Sequence, residues 1–127
     1  MKIEHIALYV QNLEREKHFF EIYFQAKAGE RYNNFRTGFS SYFLTFEDGA
    51  RLELMTREEL KTPDRALFCV GYHHLSISVG SREAVDDLTR WLERDGYTVV
   101  SGPRTTGDDY YESCILDEEG NQIEITE

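Results

Sequence analysis

Cysteine is rare in this chain. Cys69 and Cys114 are the only two, and they make no CxxC pair. That argues against a disulfide framework or a cysteine-built metal knuckle, and both thiols, set among apolar residues, read as small core hydrophobes. Proline is equally rare, and no stretch is low in complexity or disordered in composition. No apolar run could span a membrane. The N-terminus enters charged residues at once, Lys2, Glu4 and His5, with no signal-peptide core. The cytoplasm is the expected compartment. Positive charge is in the minority: 14 Lys and Arg stand against 24 Asp and Glu, a net charge of −10. This balance argues against nucleic acid and acidic membrane surfaces as partners. It suits a solvated acidic surface and is compatible with cationic ligands. A Ser-His-Asp arrangement, a phosphate-binding glycine loop and a basic aromatic stripe are all lacking.

What is present is one domain's worth of chain, 127 residues, large enough for a real core. Residues 3–10 alternate as a strand. Asn12 can cap a helix from about Leu13 to Ala26, whose apolar stripe is Leu13, Phe20 and Phe24 with Phe19 and Tyr23 beside them. These aromatics read as core. A strand-like stretch covers about Glu30 to Thr37, and a stronger strand covers Ser41 to Phe46. Asp48-Gly49 then turns the chain into a strand from Arg51 to Met55. The order repeats. Tyr72 to Val79 is a strand, and Ser81 caps a helix to Arg94 with Val85, Leu88, Trp91 and Leu92 on one face. Tyr97 to Ser101 is a strand, Gly102 to Asp109 a polar loop, and Tyr110 to Leu116 and Gln122 to Thr126 are strands. Between the halves, Thr56 and Glu59 have capping-box spacing for a short helix.

The repeat carries the chemistry. Ile3-Glu4-His5-Ile6 reads against Tyr72-His73-His74-Leu75, and Arg51-Leu52-Glu53-Leu54 against Gln122-Ile123-Glu124-Ile125, each about 70 residues apart. Strand parity sets His5 opposite Ile6, Leu8 and Val10, and His74 opposite Leu75, Ile77 and Val79. It likewise sets Glu53 between Leu52 and Leu54, and Glu124 between Ile123 and Ile125. The aliphatic faces can pack under helices, which leaves both imidazoles and both carboxylates on the other side. Two imidazoles and two carboxylates suit one divalent ion: Ni, Co, Zn, Mn or Fe. Such an ion can polarise a carbonyl and stabilise an enediolate, while a carboxylate moves a proton between adjacent carbons.

Those segments resemble the vicinal-oxygen-chelate superfamily, which includes glyoxalase I, fosfomycin-resistance thiol transferases, extradiol dioxygenases and bleomycin-binding proteins. The stretch Gly38 to Phe46 leading into Gly49-Ala50-Arg51-Leu52-Glu53 looks like the glyoxalase-like branch. So does Asp117-Glu118-Glu119-Gly120-Asn121-Gln122-Ile123-Glu124, with Glu118 where a proline is usual. The resemblance covers essentially all of residues 1–127. It implies an α+β fold of two βαβββ modules in a cupped mixed sheet around a metal. The modules would be about 1–56 and about 72–127, joined by a connector of about 57–71. It places the metal ligands on His5, Glu53, His74 and Glu124. Glyoxalase I keeps this His-Glu-His-Glu set, so the resemblance favours a glyoxalase I-like lyase or isomerase. Such an enzyme acts on the hemithioacetal of a 2-oxoaldehyde, such as methylglyoxal, and a small thiol, with Glu124 or Glu53 as the proton carrier. The rivals are a fosfomycin-type thiol transferase and a bleomycin-binding type of drug-sequestering protein. A homodimer is expected, with each metal site formed either within one chain or between two.

Around this set, Arg104 in the loop 102–109 can hold a substrate carboxylate or phosphonate from a mobile lid, or be a solvated arginine. Tyr42, Tyr110 and Tyr111 can line the pocket or pack. His73, on the face opposite His74, reads as a surface or second-layer histidine, and His18, amid helix charges, as a solvated one.

Overall fold

The computed structural model describes residues 1–61 and 70–127. The chain divides into two compact units, Met1–Asp64 and Arg65–Glu127. Cys69 and most of the expected connector helix lie outside the described residues. Within them, Thr56 ends a strand and residues 57–61 form no helix.

In the first unit β1 (His5–Tyr9) leads into α1 (Leu13–Phe24), followed by β2 (Lys27–Ala28), β3 (Tyr32–Asn34), β4 (Phe39–Thr45) and β5 (Arg51–Thr56). The sheet order is β1-β5-β4-β2, with β3 also pairing with β4. The first strand therefore lies parallel to the last, and the rest of the sheet is antiparallel. Asn12 caps α1, its side chain accepting from the Arg15 amide at 3.0 Å. Glu14 and Glu16 sit in the first turn, where negative charge suits the helix dipole. The helix ends at Phe24, two residues earlier than its apolar pattern suggests. Gln25 turns left-handed (φ 55°), and the Ala26 amide donates back to the Phe20 carbonyl. This frees Lys27 and Ala28 to pair with Thr45 and Leu44, a two-residue strand too short to show any period in the sequence. Helix α1 packs on β5, β4 and β2. Beneath it Leu44, Leu52 and Leu54 are buried with Leu13, Phe19, Phe20 and Phe24.

The second unit has the same plan: β6 (His74–Ser78), α2 (Arg82–Arg94), β7 (Val99–Thr105), β8 (Tyr111–Leu116) and β9 (Gln122–Thr126), in sheet order β6-β9-β8-β7. Ser81 caps α2 by accepting from the Ala84 amide at 3.2 Å. The buried stripe is Val85, Leu88, Thr89 and Leu92. Trp91, expected on that stripe, lies at its flank and is 37% exposed. Thr89 takes the inner place: its hydroxyl donates to the Val85 carbonyl and meets the Ser113 hydroxyl at 2.6 Å.

The expected loop 102–109 is also corrected, because β7 runs on through Thr105. Register shifts on either side of Ser101 absorb the Gly102-Pro103 irregularity, and Arg104 and Thr105 then pair with Glu112 and Tyr111. Gly102 is required there. Its φ is +81°, and a Cβ would stand 2.5 Å from the Glu112 carbonyl oxygen. The β8–β9 turn is built by Asp117, whose carboxylate accepts from the Glu119 amide (2.9 Å), the Asn121 amide (2.7 Å) and the Asn121 side chain (2.7 Å). Each unit is thus a βαβββ module. In the first, the edge position that β7 fills in the second is shared by the short β2 and β3.

Candidate functional site

Parallel pairing of first and last strands decides where the chemistry falls. In the first module Ala7 lies opposite Glu53, and His5 opposite Arg51. Because Leu52 and Leu54 point under α1, Glu53 is forced onto the other face, together with His5. His5 Nε2 stands 3.9 Å from Glu53 Oε2. The second module repeats this, with Ser76 opposite Glu124 and His74 opposite Gln122. His74 Nε2 stands 3.5 Å from Glu124 Oε2. The carboxylates are mostly covered, 15% and 19% exposed, while the imidazoles are 40% and 39% exposed.

The two pairs are equipped differently. Ser76 donates to Glu124 Oε1 at 2.7 Å. Ala7, in the matching place, has no hydroxyl to offer Glu53. In the first module Glu4 contacts both the His5 Nδ1 and the Arg51 guanidinium. Those two hydrogen bonds, His5 first, hold the Glu4 carboxyl below its usual pKa. Arg51 stacks over the Phe43 ring at 4.2 Å, and the His5 ring meets Phe43 edge-on at 5.4 Å. In the second module His73 Nδ1 faces His74 Nδ1 at 3.1 Å, and Gln122 Nε2 faces His73 Nε2 at 3.3 Å.

Beside Glu124 the second module opens a cleft of about 310 Å³, lined by Ser76, Thr106, Asp108, Tyr110, Glu112, Glu124 and Thr126. Burial, then the charge of Glu124, pushes the Glu112 carboxyl above its usual pKa. The same two causes, in that order, with Glu112 third, raise the Cys114 thiol, which belongs to the same face and opposes Glu124 across β8–β9. The Asp108 carboxyl is held low, chiefly by the Thr106 hydroxyl.

Of the residues singled out in the sequence, Tyr110 lines the cleft. Its backbone is pinned to the Thr106 hydroxyl. Arg104 is placed on a strand, not in a mobile lid, with Nη2 3.7 Å from Glu112 Oε1. Tyr42 falls on the wrong face for a pocket residue. It shares the buried side of β4 with Leu44, opposite Leu54, and its hydroxyl donates to Glu14 on α1 at 2.9 Å. Tyr111 is likewise turned to α2, donating to Asp86 at 2.6 Å. His73 and His18 are exposed. Sequence reading missed Glu112, Thr126, Thr106 and Asp108. Parity did signal Glu112, which precedes the buried Ser113 as Glu124 precedes the buried Ile125.

Donor chemistry fits a divalent ion: neutral imidazole nitrogen and carboxylate oxygen suit zinc and its first-row neighbours. Two ligands of one such ion, bonded at about 2.0–2.1 Å, stand about 3.0–3.4 Å apart. The His74–Glu124 spacing is close to that, and the His5–Glu53 spacing slightly wide. Each module supplies two such donors. Among the described residues no group of three or more His, Cys, Asp or Glu side chains is arranged to hold an ion. No helix among them is long and apolar enough to cross a membrane.

Known proteins share this architecture. A solved glyoxylase/bleomycin resistance protein/dioxygenase domain from Frankia sp. superposes with a TM-score of 0.83 at 19% identity, over 99% of this chain and 96% of that one. Glyoxalase I of Leishmania major, described as trypanothione-dependent, superposes with a TM-score of 0.79 at 16% identity, over 99% and 86%. In sequence, the uncharacterized protein YqjT of Bacillus subtilis is 25% identical, over 97% of this chain and 96% of its own. The doubled βαβββ plan has a match along nearly the whole sequence, residues 2–125, and the chain belongs to the Glyoxalase/Bleomycin resistance protein/Dioxygenase superfamily.

Proposed function

We propose that the protein is a divalent-metal-dependent lyase or isomerase of the glyoxalase I type. Its substrate is the hemithioacetal of a 2-oxoaldehyde, such as methylglyoxal, and a small thiol. The observation that carries this reading is the twice-built pair, an imidazole Nε2 facing a mostly covered carboxylate. Family membership and the likeness to glyoxalase I folds support it.

In this reading His5, Glu53, His74 and Glu124 hold the ion. When bound, the ion supplies Lewis-acid polarisation of a carbonyl oxygen. The chain's own residues supply the proton chemistry. Ser76 donates to Glu124 Oε1 and so fixes the direction of this carboxylate, which carries the proton between adjacent substrate carbons. Glu53, which has no serine partner at Ala7, is the alternative carrier of that proton. The cleft beside Glu124 seats the substrate, with Tyr110 at its wall and Arg104 beside Glu112 at the neighbouring strand. A homodimer in the cytoplasm belongs to the same proposal, from the pairing of small members of the family.

One observation favours a second reading. Three carboxylates, Asp108, Glu112 and Glu124, line the cleft. A cationic small molecule captured without turnover would suit that lining.

The deciding experiment is metal content by inductively coupled plasma mass spectrometry, with methylglyoxal turnover assayed beside several thiols. Wild type should carry near one ion per chain and turn over. His5→Ala should lose the metal. Glu124→Gln should lose about a hundredfold or more in kcat. A wild type that takes up no divalent ion even when supplied overturns the enzyme reading in favour of the cationic ligand.

A further inference from the structure

The residues behind the two histidines also occupy matched positions in the repeat, and their chemistry differs. Glu4 precedes His5 as His73 precedes His74. Arg51 stands two residues before Glu53 as Gln122 stands two before Glu124.

In the first module the Glu4 carboxylate lies against His5 Nδ1. Arg51 grips that carboxylate, with Nε donating to Oε1 at 2.9 Å, and is itself seated on the Phe43 ring. A carboxylate only accepts, so a neutral His5 carries its hydrogen on Nδ1. Its lone pair is then on Nε2, the nitrogen that faces Glu53.

With the Gln122 amide in the orientation it takes here, the second module carries the opposite tautomer. The Cys114 thiol donates to Gln122 Oε1 at 3.4 Å, which leaves the Gln122 amide nitrogen to donate to His73 Nε2 at 3.3 Å. His73 therefore has its hydrogen on Nδ1 and donates to His74 Nδ1 at 3.1 Å. The His74 hydrogen falls on Nε2, toward Glu124. Turning the Gln122 amide over reverses every donor along the chain. The amide then donates to the Cys114 sulfur, Oε1 accepts from His73 Nε2, and His73 Nδ1 accepts from His74. His74 Nε2 is left bare.

We propose that Glu4, clamped by Arg51, is a positioning residue that presets His5 as an Nε2 donor, whereas the His73–Gln122 relay holds His74 in the opposite tautomer until its Nε2 is taken by an ion. Only the consequence for metal binding rests on the function proposed above; the tautomers themselves exist without metal. Carboxylates and other acceptors behind a ligating histidine commonly set ring orientation and metal affinity.

The test is long-range 1H–15N correlation on metal-free protein labelled at histidine, at a pH of about 8.5, about two units above the ordinary imidazole value. His5 is expected as the Nδ1–H tautomer and His74 as Nε2–H. Glu4→Ala moves His5 to a mixture while the His18 signals stay in place, and Glu4→Asp restores part of the preset. With zinc added under chelator competition, Glu4→Ala raises Kd by about 10–100-fold. Finding His5 as Nε2–H in wild type, or unchanged in Glu4→Ala, or in the same tautomer as His74, overturns the proposal. Wild type that binds no zinc but shows the expected tautomers supports the preset and overturns the metal-dependent function instead.

Discussion

Ser76 ties down Glu124 across the parallel β6–β9 pairing, and its counterpart Ala7 has nothing with which to tie Glu53. The two carboxylates of the repeat are therefore not equivalently held, and the proposed function gives the proton to the tethered one. Replacing the serine should show it. Ser76→Ala is expected to lower kcat about tenfold, or ~1.4 kcal/mol, with metal content unchanged. Ala7→Ser should leave kcat within about twofold. Steady-state kinetics on metal-loaded protein checks both. Equal losses in the two variants would contradict the assignment of Glu124.

Gly102 makes a separate prediction. Gly102→Ala forces a Cβ to 2.5 Å from the Glu112 carbonyl oxygen and 2.8 Å from the Ser113 Cα, at a φ of +81°. Backbone atoms cannot swing away, so the loss should be at least about 2 kcal/mol of stability by urea unfolding. Gly49, with φ +91° and open space around it, is the control: Gly49→Ala should cost about 1 kcal/mol.

Thr89 and Ser113 share a buried hydroxyl contact at 2.6 Å, with Thr89 also bonded to the Val85 carbonyl. Thr89→Val keeps the shape and strands the Ser113 hydroxyl, which should cost about 1–3 kcal/mol. Adding Ser113→Ala removes the stranded group, so the double variant should lose less than the sum of the two single ones. Thermal unfolding of the four proteins in the cycle reads this directly.

Both helices begin on a side-chain cap, Asn12 for α1 and Ser81 for α2. Asn12→Ala and Ser81→Ala should each destabilise by about 1 kcal/mol, and the two effects should add, because the caps belong to separate modules. Circular dichroism during urea unfolding measures them.

Much of this was legible because the residues that matter sit in regular strands. Alternation set His5, Glu53, His74 and Glu124 opposite the aliphatic rows; on the closing strands the row Leu52, Leu54, Ile123 and Ile125 is buried, whereas on the opening strands Ile6 is exposed and Leu8, Leu75 and Ile77 are half-buried. The same alternation, applied to β4, puts Tyr42 on the side of Leu44, where it packs and donates to Glu14, the second of the two readings open for it. Irregular backbone was harder to read. Gly102-Pro103 looked like the start of a loop, but a bulge carried the strand past it to Arg104 and Thr105. Strand β2 has two residues and no pattern to detect. Trp91 lies one residue, about 100° of helix, from Leu92 and so falls at the stripe's flank, while Thr89, one turn after Val85, falls on the stripe and satisfies its hydroxyl on the Val85 carbonyl and Ser113.

In each module the opening strand pairs with the closing one, β1 with β5 and β6 with β9. During synthesis the histidine therefore leaves the ribosome well before its glutamate, and waits through a helix and a hairpin for the partner strand to dock. Each cross-strand pair, His5 with Glu53 and His74 with Glu124, therefore comes into being only when the last strand of its own module docks, so a half-made module cannot present the two donors together.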